Sequence, residues 1–214
     1  MRVKICGLMR SIDVKAALNE GADALGFVVG SPFSPRNLAL PKAKRLMKSV
    51  RVFSSSVAVT SLQDAKQGLK ICEDLQPDAI QLHNYTPKLV GLIRKKNPGV
   101  KVILATPIKD SSSLTQASYV SHLSDAILAD SPSPTRMGGT GRTHDLGLTA
   151  NLRKAIMPHP LILAGGLTPR NVRAAIRQVR PYAVDVSSGV ERRVGMKDHE
   201  KIREFIMNAR EAVM

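Results

Sequence analysis

The stretch that decides the fold is Val3-Lys4-Ile5-Cys6-Gly7-Leu8. β-branched residues at Val3 and Ile5 predict a short buried strand, and Gly7 lets the backbone turn sharply after Cys6. The Cys6 thiol would then face whatever lies above the strand end. Seven further apolar runs follow along the chain. They are Ala24–Val29, Val52–Val59, Ala79–His83, Val100–Ala105, Asp125–Asp130, Leu161–Ala164 and Ala183–Val186.

The alternation of these runs with eight helical patterns indicates the fold class. Near-continuous apolar strands are typical of a parallel sheet that is buried on both faces. We therefore predict an α/β fold, a (β/α)8 TIM barrel in which residues 1–214 form a single domain. A doubly wound open sheet is the alternative, but it normally has fewer units and no glycine-rich turn so late in the chain.

Composition supports a core of this size. Of the 214 residues, 43% are hydrophobic, whereas aromatic residues make up 3%, so aliphatic side chains must fill the interior. No apolar run approaches the length of a membrane span, and the amino terminus lacks the apolar core of a signal peptide. The two cysteines fit a reducing compartment better than a disulfide framework, so we expect a cytoplasmic protein without membrane contact.

The net charge of +15 and the pI near 10.3 favour an anionic partner. The basic residues are dispersed and have few aromatic residues among them. The chain therefore has few side chains on which the bases of single-stranded nucleic acid could stack. We expect a small phosphorylated substrate rather than nucleic acid, bound by a monomer or a homodimer. The five histidines are also dispersed, without the spacing of metal ligands.

Glycine- and serine-rich turns follow the last two predicted strands. Gly165-Gly166 follows strand seven and Ser187-Ser188-Gly189 follows strand eight. Ordinary tight turns are one interpretation. The position of these turns also matches a barrel phosphate site, in which backbone N–H groups and hydroxyls bind the anion. Cys6 and Asp130 end strands one and six, so both are expected at the same mouth of the barrel.

Seven segments, in order from residue 2 to about residue 210, resemble phosphoribosylanthranilate isomerase. Each is a weak signal alone, but together they are specific. The segments are Lys4-Ile5-Cys6-Gly7-Leu8, Gly21-Ala22-Asp23-Ala24-Leu25-Gly26-Phe27, Ser34-Pro35-Arg36, Gln81-Leu82-His83, Gly138-Gly139-Thr140-Gly141, Leu163-Ala164-Gly165-Gly166-Leu167 and Asp185-Val186-Ser187-Ser188-Gly189-Val190-Glu191.

The resemblance implies a (β/α)8 enzyme of tryptophan biosynthesis. Its reaction is the Amadori rearrangement of N-(5-phosphoribosyl)anthranilate to 1-(2-carboxyphenylamino)-1-deoxyribulose 5-phosphate, which needs no cofactor. By this resemblance Cys6 is the general base, Asp130 the general acid and Arg36 the residue that holds the anthranilate carboxylate. Asp185 would lie beside the substrate amine. The implied phosphate cup is Gly165, Gly166, Ser187, Ser188 and Gly189.

Each site residue also has a purely structural interpretation. Cys6 is a small hydrophobe that a core can bury, as we expect for Cys72 on a helical face with Leu62, Ala65 and Leu69. Asp130 could cap a helix or pair with an arginine of the following loop, Asp130 to Arg142. Asp125 is a rival acid, but it begins its strand and would lie at the stability face.

Arg36 and His83 each have both a structural and a substrate-binding interpretation. Arg36 could be a solvated cation, but two prolines stiffen its loop, which suits a carboxylate clamp. His83 ends strand four and either contacts substrate or forms a structural hydrogen bond.

Two rival functions follow from the same features. Indole-glycerol-phosphate synthase is another phosphosugar barrel, although it works with a catalytic lysine and carboxylates. A basic nucleic-acid-binding protein would account for the +15 charge. It would have its basic residues clustered in one stripe, and its function would not require Cys6.

Overall fold

A computed structural model describes residues 1–61, 64–130 and 146–212. Its eight parallel strands close into a barrel in chain order, and β8 pairs back with β1, so the predicted (β/α)8 barrel is confirmed. The strands are β1 (Arg2–Ile5), β2 (Ala24–Val28), β3 (Ser55–Thr60), β4 (Ala79–Leu82), β5 (Lys101–Pro107), β6 (Ala126–Asp130), β7 (Leu161–Leu163) and β8 (Ala183–Val186).

Helices follow the strands and cover the outside of the barrel. Some of them begin at side-chain caps: for example, the side chains of Thr86 and Asp198 accept hydrogen bonds from the backbone N–H groups of Leu89 and Lys201. The helices are α1 (Ser11–Asn19), α2 (Leu40–Met47), α3 (Ala65–Leu75), α4 (Pro87–Lys96), α5 (Ser111–Ser121), α6 (Leu146–Ala155), α7 (Val172–Val179) and α8 (His199–Glu211).

Strand three begins later than predicted. The apolar Val52 and Phe53 are 89% and 96% exposed in the loop before β3, and pairing with β2 begins at Ser55. Apolar residues with high strand propensity do not form a strand without a neighbouring strand to pair with. The prediction that the strand starts at Val52 is therefore wrong.

Local side-chain contacts set several helix starts. Helix α1 begins at Ser11, and Arg10 precedes it without a side-chain cap. Helix α7 begins at Val172, because the Asn171 side chain accepts from the Thr168 N–H and shapes an extra turn. The cap of α3 is Asp64, while residues 62 and 63, including Leu62 of the expected Cys72 face, lie outside the described residues.

The barrel interior is filled by small and aliphatic side chains. They project inward from alternate positions of the strands. The interior cluster comprises Cys6, Val28, Val57, Val59, Ala79, Ile103, Ala105, Ala126, Leu128, Ile162, Ala164 and Ala183. By the same alternation the polar side chains of Lys4, Gln81 and Asp185 lie inside the barrel, where each is at most 8% exposed.

A short hairpin that the sequence did not predict follows β8. After a 3-10 turn at Ser188–Val190, β9 (Glu191–Arg193) pairs antiparallel with β10 (Met196–Lys197). Cys72 is 2% exposed in the outer core, as expected. Within the described ranges, the structure has no helix that is long and apolar enough to cross a bilayer.

Candidate active site at the carboxyl mouth of the barrel

Gly7 is the point at which the predicted base, clamp and phosphate turns meet. An added Cβ at Gly7 would lie 2.6 Å from Cδ of Arg36 and 2.9 Å from Oγ of Ser187. Its φ of +72° lies in the left-handed region, where side chains are strained. The backbone of Cys6 donates to the Val186 carbonyl at 2.8 Å, which joins the ends of β1 and β8. Cys6, Arg36 and Ser187 therefore come together from three separate segments.

Cys6 lies at the end of β1 with 7% of its surface exposed. Burial raises the pKa of its thiol, and the positive charge of Lys4 opposes that rise. Lys4 lies two residues earlier on the same strand face. Opposite both, β2 carries Gly26, where an added Cβ would lie 2.8 Å from the Cys6 sulfur. The missing side chain at Gly26 therefore makes room for the thiol.

Lys4 and Asp185 form an ion pair inside the barrel. Lys4 Nζ donates to Asp185 Oδ1 at 2.8 Å, and the two residues are 3% and 8% exposed. Burial alone would lower the pKa of Lys4, but the charges of Asp185 and Cys6 and the hydrogen bonds to these two side chains together outweigh it, so this pKa is raised. Lys4 is therefore a charged ammonium at neutral pH.

His83 and Gln81 line the same mouth from β4 and its end. Gln81 Nε2 lies 3.1 Å from His83 Nε2, and Gln81 Oε1 is buried without a hydrogen-bond partner among the described residues. Desolvation in the mouth and the charge of Lys4 lower the pKa of His83, so this imidazole is neutral at pH 7. The mouth thus offers the neutral ring of His83 to a polar ligand, above the buried amide of Gln81.

Arg36 is held by Glu191 of the hairpin. Arg36 Nε and Nη2 donate to the two carboxylate oxygens of Glu191 at 2.8 and 2.6 Å. Lys197 Nζ donates to Glu191 Oε1 at 3.1 Å and to the carbonyl of Ser187 at 3.0 Å. Burial disfavours the Glu191 carboxylate, but these cationic donors outweigh it and lower its pKa. Arg36 is therefore a fixed guanidinium rather than a solvated cation.

The two glycine-rich turns pack against each other. Gly165 and Gly166 have φ of +82° and +65°, and the Asn171 side chain donates to the Gly166 carbonyl at 2.9 Å. Any Cβ added at Gly189 would collide with the carbonyl of Leu167. The turns after β7 and β8 therefore form one continuous surface of backbone and hydroxyl groups, which suits an anion.

Asp130 and its rival Asp125 lie at opposite ends of β6. Asp130 is the last residue of the strand, on the face of Leu128, and its carbonyl accepts from the Ile108 N–H at 3.0 Å. Asp125 precedes the strand and binds Arg94 Nη1 at 2.9 Å and the Val102 N–H at 2.8 Å. Asp125 is thus part of the opposite face of the barrel, away from Cys6.

Sequence reasoning missed four residues of this arrangement. Lys4 and Gln81 are polar residues in the middle of buried strands, and that pattern was a usable signal, since a buried lysine needs a partner. Glu191 and Lys197 gave no comparable signal, because the hairpin that carries them is short and polar. The predicted loop with Gly138-Gly139-Thr140-Gly141, together with Arg136 and Arg142, lies outside the described residues.

Comparisons with known proteins agree with this geometry. The model of the family "N-(5'phosphoribosyl)anthranilate (PRA) isomerase" matches residues 3–208. An N-(5'-phosphoribosyl)anthranilate isomerase from Methanothrix thermoacetophila is 43% identical over 98% of each chain. The solved phosphoribosyl anthranilate isomerase from Thermotoga maritima superposes with a TM-score of 0.87 at 37% identity, over 99% of each chain. A further solved isomerase, in complex with reduced 1-(o-carboxyphenylamino)-1-deoxyribulose 5-phosphate, has a TM-score of 0.83 at 35% identity and the same coverage.

Proposed function

The chain belongs to the N-(5'-phosphoribosyl)anthranilate isomerase family, and we propose that it works by general acid–base catalysis with Cys6 as base and Asp130 as acid. The reaction is the isomerisation of N-(5'-phosphoribosyl)anthranilate in tryptophan biosynthesis. The observation that carries the mechanism is the convergence at Gly7 of the Cys6 strand end, Arg36 and Ser187. This proximity supports a site in which Cys6 is the base, Arg36 binds a carboxylate and the Ser187 turn binds an anion.

The reaction divides into two proton transfers. Protonation of the furanose ring oxygen opens the ring to a Schiff base, and removal of the C2′ proton then gives an enolamine that tautomerises to the ketone. A carboxylic acid can supply the first proton, and a thiolate can accept the second. Cys6 follows β1 and Asp130 ends β6, three strands away around the closed barrel, which supports positions on different sides of a bound sugar.

Charges around the mouth match the two ends of the substrate. Arg36 keeps its Nη1 edge for a second acceptor, since Glu191 occupies Nε and Nη2, and the anthranilate carboxylate suits that edge. The phosphate suits the turns at Gly165-Gly166 and Ser187-Ser188-Gly189. Asp185 and His83 lie between these ends, where they can contact the amine and hydroxyls of the substrate.

No step of this mechanism uses a metal or cofactor, so we propose that the protein needs none. We also propose that the whole chain acts as one barrel domain, since the strands run from Arg2 to Val186 and α8 packs against β1. Both cysteines are free thiols, which fits a cytoplasmic enzyme. Analytical ultracentrifugation will show whether the protein is a monomer or a homodimer.

The direct test is an assay with purified protein and freshly generated N-(5'-phosphoribosyl)anthranilate. Conversion is followed as loss of the anthranilate-type fluorescence. Wild type should convert the substrate without added metal or cofactor and in the presence of a chelator. Absence of turnover, or formation of an indole instead, would contradict the proposed function.

A further inference from the structure

Lys4, which forms a buried ion pair with Asp185, has no part in the mechanism as described so far. Removing one partner of such a pair leaves an uncompensated buried charge and is strongly destabilising, whereas replacement of both partners by apolar residues is often neutral. Packing alone therefore does not explain a charged pair inside a barrel of aliphatic side chains. Its position directly beneath Cys6 suggests a functional reason.

The base assigned to Cys6 raises a difficulty that this pair can resolve. A thiolate is the basic form of cysteine, but the site is dry and burial raises the pKa of this thiol. A buried anion needs a compensating cation close to it. The structure must therefore supply a positive charge next to the Cys6 sulfur.

Lys4 is placed to be that cation. An added Cβ at Gly26 would lie 2.8 Å from the Cys6 sulfur and 3.2 Å from Cε of Lys4, so both side chains converge over this glycine. An ammonium has three N–H donors, and Asp185 accepts one of them at 2.8 Å. The remaining donors are available to a thiolate.

Other charged groups also face this region, and their partners differ. Arg36 and Lys197 both donate to Glu191, and Lys197 also donates to the Ser187 carbonyl, so both cations are held at the clamp and the phosphate turn. The charge of Lys197 lowers the pKa of Cys6 less than the charge of Lys4 does, and the Asp185 carboxylate raises it. The charged and titratable groups around Cys6 are Lys4 on β1, Asp185 on β8, Lys197 on β10, Arg36 after β2, Glu191 on β9, His83 after β4 and, across the mouth, Asp130 on β6.

We propose that Lys4 is a positioning residue for the isomerisation: its ammonium, held in place by Asp185, is the counter-charge that allows Cys6 to act as a thiolate base. The proposal rests on the proposed role of Cys6. Asp185 keeps Lys4 protonated and fixes the ammonium beneath the sulfur. Gly26 leaves the space in which the two side chains meet.

The test measures ionisation of Cys6 directly, without substrate. The parent is the Cys72→Ala variant, which removes the second thiol, and its remaining cysteine is labelled with carbon-13 at the β-carbon. The carbon chemical shift is followed against pH in this parent and after the further change Lys4→Met, which keeps the length but removes the charge. The ionisation midpoint should rise by about one pH unit or more. An unchanged midpoint in a folded protein would overturn the proposal.

A second pair of variants covers the case in which Lys4→Met alone fails to fold. Asp185→Asn is compared with Lys4→Met/Asp185→Asn, which leaves no unpaired charge at either position. The double variant should have the higher Cys6 midpoint, and equal midpoints would overturn the proposal. The pH–rate profile adds a readout that a purely structural role would not move, since the limb of kcat that reports Cys6 should shift to higher pH in Lys4→Met.

Failure of this inference can be told apart from failure of the proposed function. If Cys6→Ala kept its activity, the base assignment would be wrong, while the carbon-13 titration would still report whether Lys4 stabilises the thiolate. If Cys6→Ala is inactive but the titration midpoint does not respond to Lys4→Met, Cys6 is the base and Lys4 is not its counter-charge.

Discussion

The guanidinium of Arg36 is bound along its Nε–Nη2 edge by the carboxylate of Glu191, a residue 155 positions later in the chain. Lys197 shares the same carboxylate at 3.1 Å. Two cations around one anion leave a net positive charge, which a single substrate carboxylate would balance. The arrangement accounts for how a flexible arginine can present a fixed edge to a ligand.

Arg36→Met should raise KM with little change in kcat. The variant keeps the apolar stem but loses the charge, and a clamp that acts equally in the ground and transition states affects binding alone. Loss of a charge-assisted hydrogen bond corresponds to about 1.5–3 kcal/mol, or roughly ten- to a hundredfold in kcat/KM. Steady-state kinetics provide the measurement. An analogue built on aniline, which lacks the carboxylate, should bind both proteins equally; equal weakening of both ligands would contradict the carboxylate assignment.

Glu191→Gln should reduce stability in a pH-dependent manner. The pKa of Glu191 is lowered from 4.5 in the folded protein, so its charged form stabilises the fold above the unfolded value. This contribution is lost as the pH falls through the folded pKa. The difference in unfolding free energy between wild type and variant should be constant above about pH 5 and shrink below pH 4.5. Urea titrations across this range are the measurement, and a difference that is independent of pH would contradict the ionic role.

Cys6→Ala should abolish the isomerisation and leave the fold intact, because a methyl group cannot accept the C2′ proton. Binding of a reduced product analogue, measured by calorimetry, should persist in the variant. The far-ultraviolet circular dichroism spectrum is the control for folding. Retention of more than about a tenth of kcat would mean that another group is the base.

Asp130→Asn should lower kcat by roughly two orders of magnitude or more, because an amide cannot protonate the ring oxygen. The pH–rate profile should also lose one limb. The matched control is Asp125→Asn, at the opposite end of β6, which should affect stability through Arg94 rather than catalysis. Near-normal kcat with a bell-shaped profile in Asp130→Asn would exclude this residue as the acid.

Gly189→Ala should weaken phosphate binding, because its Cβ would collide with the Leu167 carbonyl and push the two turns apart. Inorganic phosphate should inhibit wild type competitively, with an inhibition constant that rises at least tenfold in the variant. Gly91→Ala in α4 is the control: nothing lies within 4 Å of the added methyl. It should stabilise the protein by roughly 0.5–1 kcal/mol without changing inhibition. Equal inhibition of all three proteins would argue against a phosphate site at these turns.

Much of the barrel could be predicted because burial on both faces of a parallel sheet makes its strands continuously apolar. β8, at Ala183–Val186, has the predicted bounds. The start of β3 could not be predicted, since Val52 and Phe53 look like strand residues and only pairing with β2 excludes them. Local sequence indicates which residues favour a strand, whereas the ends of a strand depend on pairing with neighbouring strands that are distant in the sequence.

The candidate site was predictable where it follows the strand ends. Cys6 and Arg36 come close together at Gly7, and each follows the carboxyl end of a strand, β1 and β2 respectively. The partners of these residues were not predictable, because Glu191 and Lys197 belong to a hairpin whose strands have three and two residues. Such short, polar strands lack the hydrophobic periodicity on which sequence interpretation depends.

The pairing of β1 with β8 also has a consequence for synthesis of the protein. Lys4 and Cys6 emerge from the ribosome among the first residues of the barrel. Asp185, and the Val186 carbonyl that accepts the hydrogen bond from the Cys6 N–H, emerge among the last. Until then the buried ammonium has no carboxylate, and the barrel has two open strand edges that can pair with other chains. The nascent chain thus acquires its closed sheet and its buried Lys4–Asp185 ion pair in a single late event, and a ribosome that stalls before β8 would release an incomplete, aggregation-prone barrel.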